Sequence, residues 1–192
     1  MANVAKFDRD EVLAKATWLF WSQGFQATST RDIQQAVNMR PGSMYAAFGG
    51  KSDLYRLVLE NYAHTMSTLL DQHVSEEADI PSGIRKFIAR ILLDVDTNEV
   101  AESCLLYRTL AELGGEHKEL LEYARERLQG MEAKFIQLIG EAVIKEQLPP
   151  STDVRAEAVR VQCAILGMRS YLRINHDREL VQSMIDELLV PQ

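Results

Sequence analysis

The chain has 192 residues and a formal net charge of −7. Its content of 46% apolar and 26% charged residues is typical of a globular protein. Its length fits one domain, or a small module joined to a larger one. No segment reaches the roughly 18 consecutive apolar residues of a membrane span, and the N-terminus has neither the apolar run nor the cleavage site of a signal peptide. Two cysteines, Cys104 and Cys163, do not make a disulfide framework, so we expect a reducing, cytoplasmic location.

The charge is unevenly distributed along the chain. Residues 1–55 hold six Lys or Arg and five Asp or Glu, whereas residues 56–192 hold 15 and 23. The acidic total does not exclude a nucleic-acid partner, because phosphate contacts depend on local Lys and Arg side chains.

The pattern of apolar residues and helix breakers predicts an all-α chain of nine helices. The first helix is expected to begin after Asp8, with Glu11 three residues later in a capping-box arrangement. Gly24 is expected to end this helix, and Phe25 to pack against the core.

Residues 25–51 predict two short helices joined by a tight turn. Ser29 and Asp32 form a second capping box at the start of the first of them, which covers about 30–37. Asn38 suits the left-handed residue that ends it, because Asn tolerates that conformation better than most residues.

The second short helix is predicted to run from Pro41 to about Phe48. Proline is well tolerated in a first helical turn, where its missing N–H costs little. The helix carries small and polar residues on an exposed face. Two such helices are the sequence form of a helix-turn-helix, which places its second helix in the major groove of DNA.

Six further helices are expected in the rest of the chain. The first of them is capped by Ser52, and Pro81 opens the next. Their expected ranges are 52–74, 81–95, 103–113, 117–147, 153–174 and 178–189.

The last two helices each carry two apolar stripes. On the first helix one stripe is Val154, Ala158, Val161, Ile165, Met168 and Leu172, and the other is Val159, Cys163, Leu166, Ser170 and Ile174. On the second helix the stripes are Val181, Ile185 and Leu189, beside Leu180, Met184 and Leu188. A terminal helix of a monomer needs one buried face, so a second stripe predicts a homodimer. The alternative to a dimer is that both helices are buried in the large core of a single chain.

The region from residue 7 to about residue 60 resembles the N-terminal domain of the TetR (tetracycline-repressor-like) family of bacterial transcriptional regulators. The matching segments are LFWSQGF at 19–25, TSTRDI at 28–33 and GSMYAAFGGKSDL at 42–54. This match is specific, because several motifs occur in the right order and spacing. We expect a helix-turn-helix DNA-binding domain at 1–51 and an effector-binding and dimerisation domain at 52–192. The expected partners are a near-palindromic double-stranded DNA operator, a small-molecule effector and a second copy of the chain.

The resemblance and the chemistry of the residues together give a predicted DNA-binding set. Ser43 and Tyr45 correspond to positions that look like phosphate or base contacts in the family, and Arg31 corresponds to one that can reach a base edge. Arginine also suits a bidentate contact with guanine, whereas Ala46 offers only a methyl group, so we expect DNA shape to contribute to recognition. The set is Thr28, Ser29, Thr30, Arg31, Arg40, Pro41, Gly42, Ser43, Tyr45, Ala46 and Lys51.

Three of these assignments have structural alternatives. Arg31 could instead pair on the surface with Asp32 or Asp8. Tyr45 could be an aromatic core residue, and Lys51 could be a solvated loop residue.

The effector pocket is expected among the middle helices. Its candidate residues are Tyr62, Met66, Phe87, Ile91, Cys104, Tyr107, Met131 and Phe135. The alternative is that this set is ordinary core, because methionines and aromatic residues at helical spacing usually are.

Cys104 is also a candidate sensor. It begins a predicted short helix, where the helix N-terminus and nearby Arg108 favour a thiolate. Family members with a Gly-Cys-Leu sequence at this place resemble the segment, and some of them sense electrophiles or oxidants through that cysteine. Here Ser103 stands in place of the glycine and Glu102 opposes a thiolate, so a buried inert cysteine is the alternative. Cys163 is interpreted as a packing residue.

The sequence predicts no enzyme, no metal site and no cofactor. It contains no Gly-rich phosphate loop, HExxH or Gly-x-Ser-x-Gly motif, and its four histidines are scattered. The predicted function is that of a DNA-binding transcriptional regulator, a repressor released from its operator by a small-molecule or electrophile effector. The alternative is a helical small-molecule-binding or redox-sensing protein without operator-specific DNA binding.

Overall fold

The computed structural model describes residues 8–94 and 104–190. Over these residues the chain folds into nine α-helices and one 3₁₀ turn, without strands, which confirms the expected all-α class. The helices are α1 (Arg9–Gln23), α2 (Thr30–Val37), α3 (Pro41–Phe48), α4 (Lys51–Glu76), α5 (Ile80–Leu92), α6 (Leu105–Glu112), α7 (Lys118–Ile144), α8 (Val154–Asn175) and α9 (Arg178–Asp186). Among them, none combines the length and the apolar character that crossing a bilayer requires.

The first helix begins as predicted, but its capping box is half formed. The Asp8 carboxylate accepts hydrogen bonds from the backbone N–H groups of Asp10 and Glu11. The Glu11 side chain does not reach back to the cap, because it instead accepts a hydrogen bond of 2.6 Å from Lys15 Nζ. Gly24 ends the helix with φ 86°, a conformation that favours glycine.

The start of α4 differs from the prediction, in which Ser52 was the cap. The helix begins one residue earlier, at Lys51. Asp53 takes over the capping role, since its Oδ2 accepts a hydrogen bond of 2.8 Å from the N–H of Gly50. A carboxylate in the first turn also complements the helix dipole.

The end of α7 also differs, because the helix stops at Ile144, three residues before the predicted end at about 147 that rested on the proline pair Pro149 and Pro150. Glu146 adopts the left-handed conformation with φ 59°. The N–H of Gln147 bonds to the carbonyl of Ala142 at 2.8 Å, and the N–H of Glu146 bonds to the carbonyl of Val143 at 3.1 Å. These two bonds form a Schellman motif, which satisfies the last carbonyls of the helix before the prolines are reached.

Other helix ends are close to the predicted positions. The expected ends at residues 95 and 103 lie outside the described residues, while α5 ends at Leu92 and α6 begins at Leu105. The last helix ends at Asp186, three residues earlier than predicted.

The described residues separate into two compact units. Unit one comprises those within Met1–Tyr62 and Leu105–Arg125, and unit two comprises those within Ala63–Cys104 and Glu126–Gln192. The boundary falls within α4, after Tyr62. The division into folding domains at residue 51 stays a prediction.

Each unit has its own apolar core. In unit one the ring of Phe20 lies 4.8 Å from that of Tyr55, and the ring of Phe25 lies 4.8 Å from the same tyrosine, as measured between centroids. In unit two the core joins α5, α7, α8 and α9 and includes Ile84, Phe87, Ile88, Phe135, Ile139, Val161, Ile165, Met168, Val181 and Ile185.

The two stripes of α8 and α9 behave as the sequence predicts within this chain. The inner stripes contribute Val161 and Ile185, both fully buried in the core of unit two. The outer stripes remain at the surface, where Ile174 is 77% exposed and Leu180 is 45% exposed. Most of the outer stripes is therefore exposed apolar surface, while Leu166 and Leu188 are half-buried.

Candidate nucleic-acid interface

Two local features fix the two ends of α2. Ser29 Oγ accepts a hydrogen bond of 3.2 Å from the N–H of Asp32, and the Asp32 carboxylate accepts one of 2.8 Å from the N–H of Ser29, so the predicted capping box is present. Hydrogen bonds from the Ser29 hydroxyl and backbone hold the pKa of the Asp32 carboxyl below its usual value. Asn38 then ends α2 in the left-handed conformation, with φ 54° and ψ 44°.

The third helix presents two different faces. Met44 and Phe48, four residues apart, are 1% and 4% exposed and anchor the helix. Ser43, Tyr45 and Ala46 are exposed on the other side. Tyr45 is 51% exposed, so the alternative of an aromatic core residue is wrong. This is the arrangement that a recognition helix needs, because base edges are read by side chains that point away from the protein.

Two arginines of the predicted set are exposed. Arg31 in the first turn of α2 and Arg40, the N-cap of α3, are both exposed. Of the acids proposed as surface partners of Arg31, Asp8 caps α1, and Asp32 accepts from Ser29. The positive charge of Arg31 also helps to lower the pKa of the Asp32 carboxyl, so the surface-pair alternative with Asp32 stays open. Arg40 directly precedes the exposed residues Pro41, Gly42 and Ser43 in the chain. An exposed guanidinium group suits contact with a phosphate or a base edge.

Lys51 is neither a loop residue nor fully solvated. It is the first residue of α4, it is half-buried, and its Nζ lies 4.3 Å from the centroid of the Phe25 ring, a cation–π contact. Partial burial lowers the pKa of the Lys51 ammonium, against the opposing effect of the Glu112 and Asp32 carboxylates. The phosphate contact of Lys51 stays a prediction.

Thr28 is a correction to the predicted contact set. Its side chain is fully buried, and its Oγ1 donates a hydrogen bond of 2.6 Å to the carbonyl of Gly24. The hydroxyl therefore fixes the loop before α2 and is not available to a phosphate. Ser29 is exposed, but its hydroxyl is used in the capping box, and Thr30 is half-buried in the first turn of α2.

One basic residue that the prediction left out lies beside α3. The Arg9 guanidinium is 5.4 Å from the centroid of the Phe48 ring, and the residue is exposed. Arg9 precedes Phe48 by about forty residues, and no local pattern in the sequence relates the two positions.

A second feature that the prediction missed is the attachment of α6 to the loop after α1. Glu112 Oε1 accepts a hydrogen bond of 2.6 Å from the N–H of Gln26, whose side-chain amide donates to the Glu112 carbonyl at 3.1 Å. Arg108 donates to the carbonyl of Trp21, and its Nε lies 3.5 Å from Glu112 Oε2. All four residues belong to unit one. These bonds therefore attach α6 to the end of α1 and to the loop that leads into α2.

The candidate effector residues are divided between the two units. Tyr62 and Tyr107 belong to unit one, and the other six belong to unit two. Phe87 and Phe135 are each 1% exposed, with ring centroids 6.5 Å apart, and both are part of the unit-two core. Ile91 and Met131 are partly buried against that core, and Met66 is half-buried on α4. The pocket stays a prediction.

The two cysteines occupy different environments. Cys104 is half-buried and directly precedes α6, as predicted, while Ser103 and Glu102 lie outside the described residues. Cys163 is exposed on the outer stripe of α8, so the packing interpretation is wrong for the single chain.

Within residues 8–94 and 104–190, no group of three or more His, Cys, Asp or Glu side chains is placed to hold a metal ion.

Comparisons with known proteins place these features in context. A family profile described as "Bacterial regulatory proteins, tetR family" matches residues 12–58, and one described as "Tetracyclin repressor-like, C-terminal domain" matches residues 82–188. The chain is 28% identical to the HTH-type transcriptional repressor ComR of Escherichia coli over 84% of this chain and 78% of that protein. It is 21% identical to the uncharacterized HTH-type transcriptional regulator YezE of Bacillus subtilis over 97% and 96% of the two chains.

Solved structures share the fold. A cysteine-substituted form of the TetR family transcriptional regulator CifR, complexed with 26-bp operator DNA, superposes with a TM-score of 0.81 at 23% identity over 95% of this chain and 96% of that chain. The reduced form of NemR from Escherichia coli gives 0.80 at 16% identity over 96% and 97%.

Proposed function

This chain belongs to the TetR family of bacterial regulatory proteins, and we propose that it is a DNA-binding transcriptional repressor that a small-molecule or electrophile effector releases from its operator. The observation that carries the proposal is the two-faced α3, with Met44 and Phe48 buried while Ser43, Tyr45 and Ala46 are exposed. The name of the similar ComR protein, a transcriptional repressor, supports the direction of regulation. A repressor of bacterial genes works in the cytoplasm and needs no catalytic group.

The proposed DNA contacts are the exposed members of the predicted set. Arg31 and Tyr45 are the candidates for base contacts, and Arg40 and Ser43 are the candidates for phosphate contacts. Thr28 is left out, because its hydroxyl is bonded to Gly24. Few of these residues can make directional base contacts, so we expect groove shape to supply part of the specificity.

The proposed active form is a homodimer. The outer stripes of α8 and α9 expose apolar side chains, among them Val159, Ile174, Leu180 and Met184, and a second copy of the chain would cover them. A symmetric dimer presents the same surface twice, which matches a near-palindromic operator.

The test is equilibrium binding to DNA from upstream of the protein's own coding sequence. Fluorescence polarisation should show tighter binding to one such fragment than to random DNA of equal length, with an affinity that falls as salt rises. Arg40→Ala should weaken binding to both DNAs alike and flatten the salt dependence, because Arg40 is proposed to contact phosphate. Arg125→Ala is the matched control, because Arg125 is an exposed arginine on α7, outside both the proposed DNA contacts and the outer stripes of α8 and α9. Equal affinity for every fragment would contradict the proposal and favour a ligand-binding or redox-sensing protein that does not read DNA.

A further inference from the structure

Arg169 is a buried arginine on α8 whose hydrogen-bonding capacity is mostly unused. The residue is 8% exposed. Its Nη2 donates a hydrogen bond of 3.3 Å to the carbonyl of Ile91. Its Nε and Nη1 are also buried, and neither has a hydrogen-bond partner among the residues that the structure describes.

Helix capping explains only part of this arrangement. Ile91 lies in the last turn of α5, where carbonyls lack partners within the helix and a nearby cation is favourable. That single bond uses one of the five N–H groups of a guanidinium, and Nε and Nη1 carry three of the others. Buried donors without acceptors are costly, and a buried charge without a partner is more so. A cap alone would therefore not require arginine at this position.

Arg85, a second arginine of unit two, has hydrogen-bond acceptors for both of its terminal nitrogens. Arg85 on α5 is partly buried, and its Nη2 donates to Ser82 Oγ at 2.8 Å. Its Nη1 donates to the carbonyl of Leu188 at 3.0 Å. Arg85 thus joins α5 to the segment after α9 through Nη1, and its Nη2 is satisfied within α5 by Ser82. Arg169 has a single acceptor among the described residues.

The surroundings of Arg169 define what could pair with it. The adjacent Met168 and the nearby Ile165, one helical turn earlier, belong to the apolar core of unit two, as does Leu92 beside the accepting Ile91. A single buried cation in apolar surroundings is neutralised by a monoanion, and a dianion such as phosphate would leave a charge uncompensated. A carboxylate accepts from several N–H groups of a guanidinium at once.

We propose that Arg169 anchors the carboxylate of the effector, an organic acid whose apolar body packs against the unit-two core. This rests on the proposed function, in which an effector acts through this part of the chain, and it assigns that effector a negative charge. Nη1 supplies the hydrogen bond to the carboxylate, on the edge of the guanidinium that it shares with the second N–H of Nη2, and Ile91 holds the group in place through the other N–H of Nη2.

The first test concerns the protein without added ligand. Arg169→Met removes a buried charge and keeps the length of the side chain, so the midpoint of urea unfolding should stay or rise. Arg85→Met is the matched control and should lower the midpoint, because it breaks bonds that are made. If Arg169→Met lowers the midpoint as much as Arg85→Met, Arg169 already has a counter-charge, from its own chain or from a second copy, and the proposal fails.

The second test uses octanoate as the probe and 1-octanol as its neutral counterpart. Calorimetry should show that the wild-type protein binds octanoate at least tenfold more tightly than octanol. Arg169→Met should lose roughly 10- to 100-fold in octanoate affinity, the loss expected for hydrogen bonds to a charged group, with octanol binding unchanged. Arg85→Met should keep the octanoate preference. Equal binding of both probes, or no octanoate binding to the wild type, overturns the proposal.

DNA binding measured in parallel separates this inference from the proposed function. If octanoate binds through Arg169 and weakens DNA binding, both stand. If octanoate binds through Arg169 while the affinity for DNA does not change, or if no DNA is bound at all, the anion site stands and effector-controlled repression fails.

Discussion

On α2, Arg31 is the exposed side chain that we propose to contact a base. It stands in the first turn of that helix, and Asp32 beside it is held by Ser29. Arg31→Ala should therefore cost about 1–3 kcal/mol on the operator if the guanidinium reads a base, and relax the preference at one position of each half-site. Competition of operator variants against random DNA measures this cost.

The matched control for Arg31→Ala is again Arg125→Ala, which removes an exposed guanidinium from α7. It should leave both affinities unchanged. An equal loss of affinity for operator and random DNA in Arg31→Ala would show that this residue contacts phosphate and not a base.

Tyr55 makes the stability of unit one sensitive to alkaline pH. Burial raises the pKa of its hydroxyl to about 12, while the hydrogen bond to Thr109, 2.8 Å long, opposes the shift. The unfolded chain loses this proton near pH 10. Stability is therefore unaffected below about pH 10 and falls between 10 and 12, by up to about 1.4 kcal/mol per pH unit, because only the unfolded state releases the proton there.

Urea unfolding of the wild type and of Tyr55→Phe from pH 9 to pH 12 checks this pH dependence. Taking the difference in unfolding free energy between the two proteins cancels the titration of the other residues. This difference should shift in favour of Tyr55→Phe as the pH rises. A difference that stays constant over this range would mean that the hydroxyl ionises within the folded protein.

At the scale of the elements, α6 is attached to the loop that leads into α2. Glu112 accepts from the N–H of Gln26 at 2.6 Å and lies 3.5 Å from Arg108, which itself donates to the carbonyl of Trp21. Glu112→Ala removes the acceptor for both partners, so the free energy of unfolding should fall by about 1–2 kcal/mol. Hydrogen exchange should also show loss of protection at the Gln26 amide.

Glu119→Ala is the comparison for Glu112→Ala, because it removes an exposed carboxylate from the first turn of α7. It should change stability by less than about 0.5 kcal/mol and leave the Gln26 amide protected. Unchanged exchange at Gln26 in Glu112→Ala would mean that the loop holds its conformation without α6.

The helices that the sequence predicts best are those whose ends are coded locally. The Ser29–Asp32 box and the left-handed Asn38 involve residues within a few positions of one another, and both were correctly predicted. The end of α7 was not, because a left-handed glutamate at position 146 carries no compositional signal and the proline pair beyond it is a stronger one.

The candidate site shows the same limit. That α3 exposes Tyr45 follows from helical periodicity, given that Met44 and Phe48 are buried. Two other contacts, that of Thr28 with Gly24 and that of Lys51 with Phe25, depend on how the loops pack against α1. Contacts between residues far apart in sequence, such as Glu112 with Gln26, leave no trace in local spacing.

At the scale of the whole molecule, operator recognition requires two copies of the helix-turn-helix. Successive major-groove faces on one side of DNA are about 34–36 Å apart, so two recognition helices must be held at that spacing or a multiple of it. The outer stripes of α8 and α9 are the surface proposed to hold them. Leu166 lies on the α8 outer stripe and is half-buried, with Val159 and Ile174 exposed on the same stripe.

Leu166→Glu should break this dimer, because burying a carboxylate in an apolar interface without a partner is strongly unfavourable. Sedimentation at micromolar concentration should give a dimer for the wild type and a monomer for the variant, with the helical circular dichroism retained. Operator binding should fall to the level of random DNA, since one helix-turn-helix reads only a half-site. Gln129→Glu, which adds the same charge at an exposed position of α7, should remain dimeric and bind the operator. A wild-type monomer that binds a palindromic operator with full affinity would overturn the dimeric scheme.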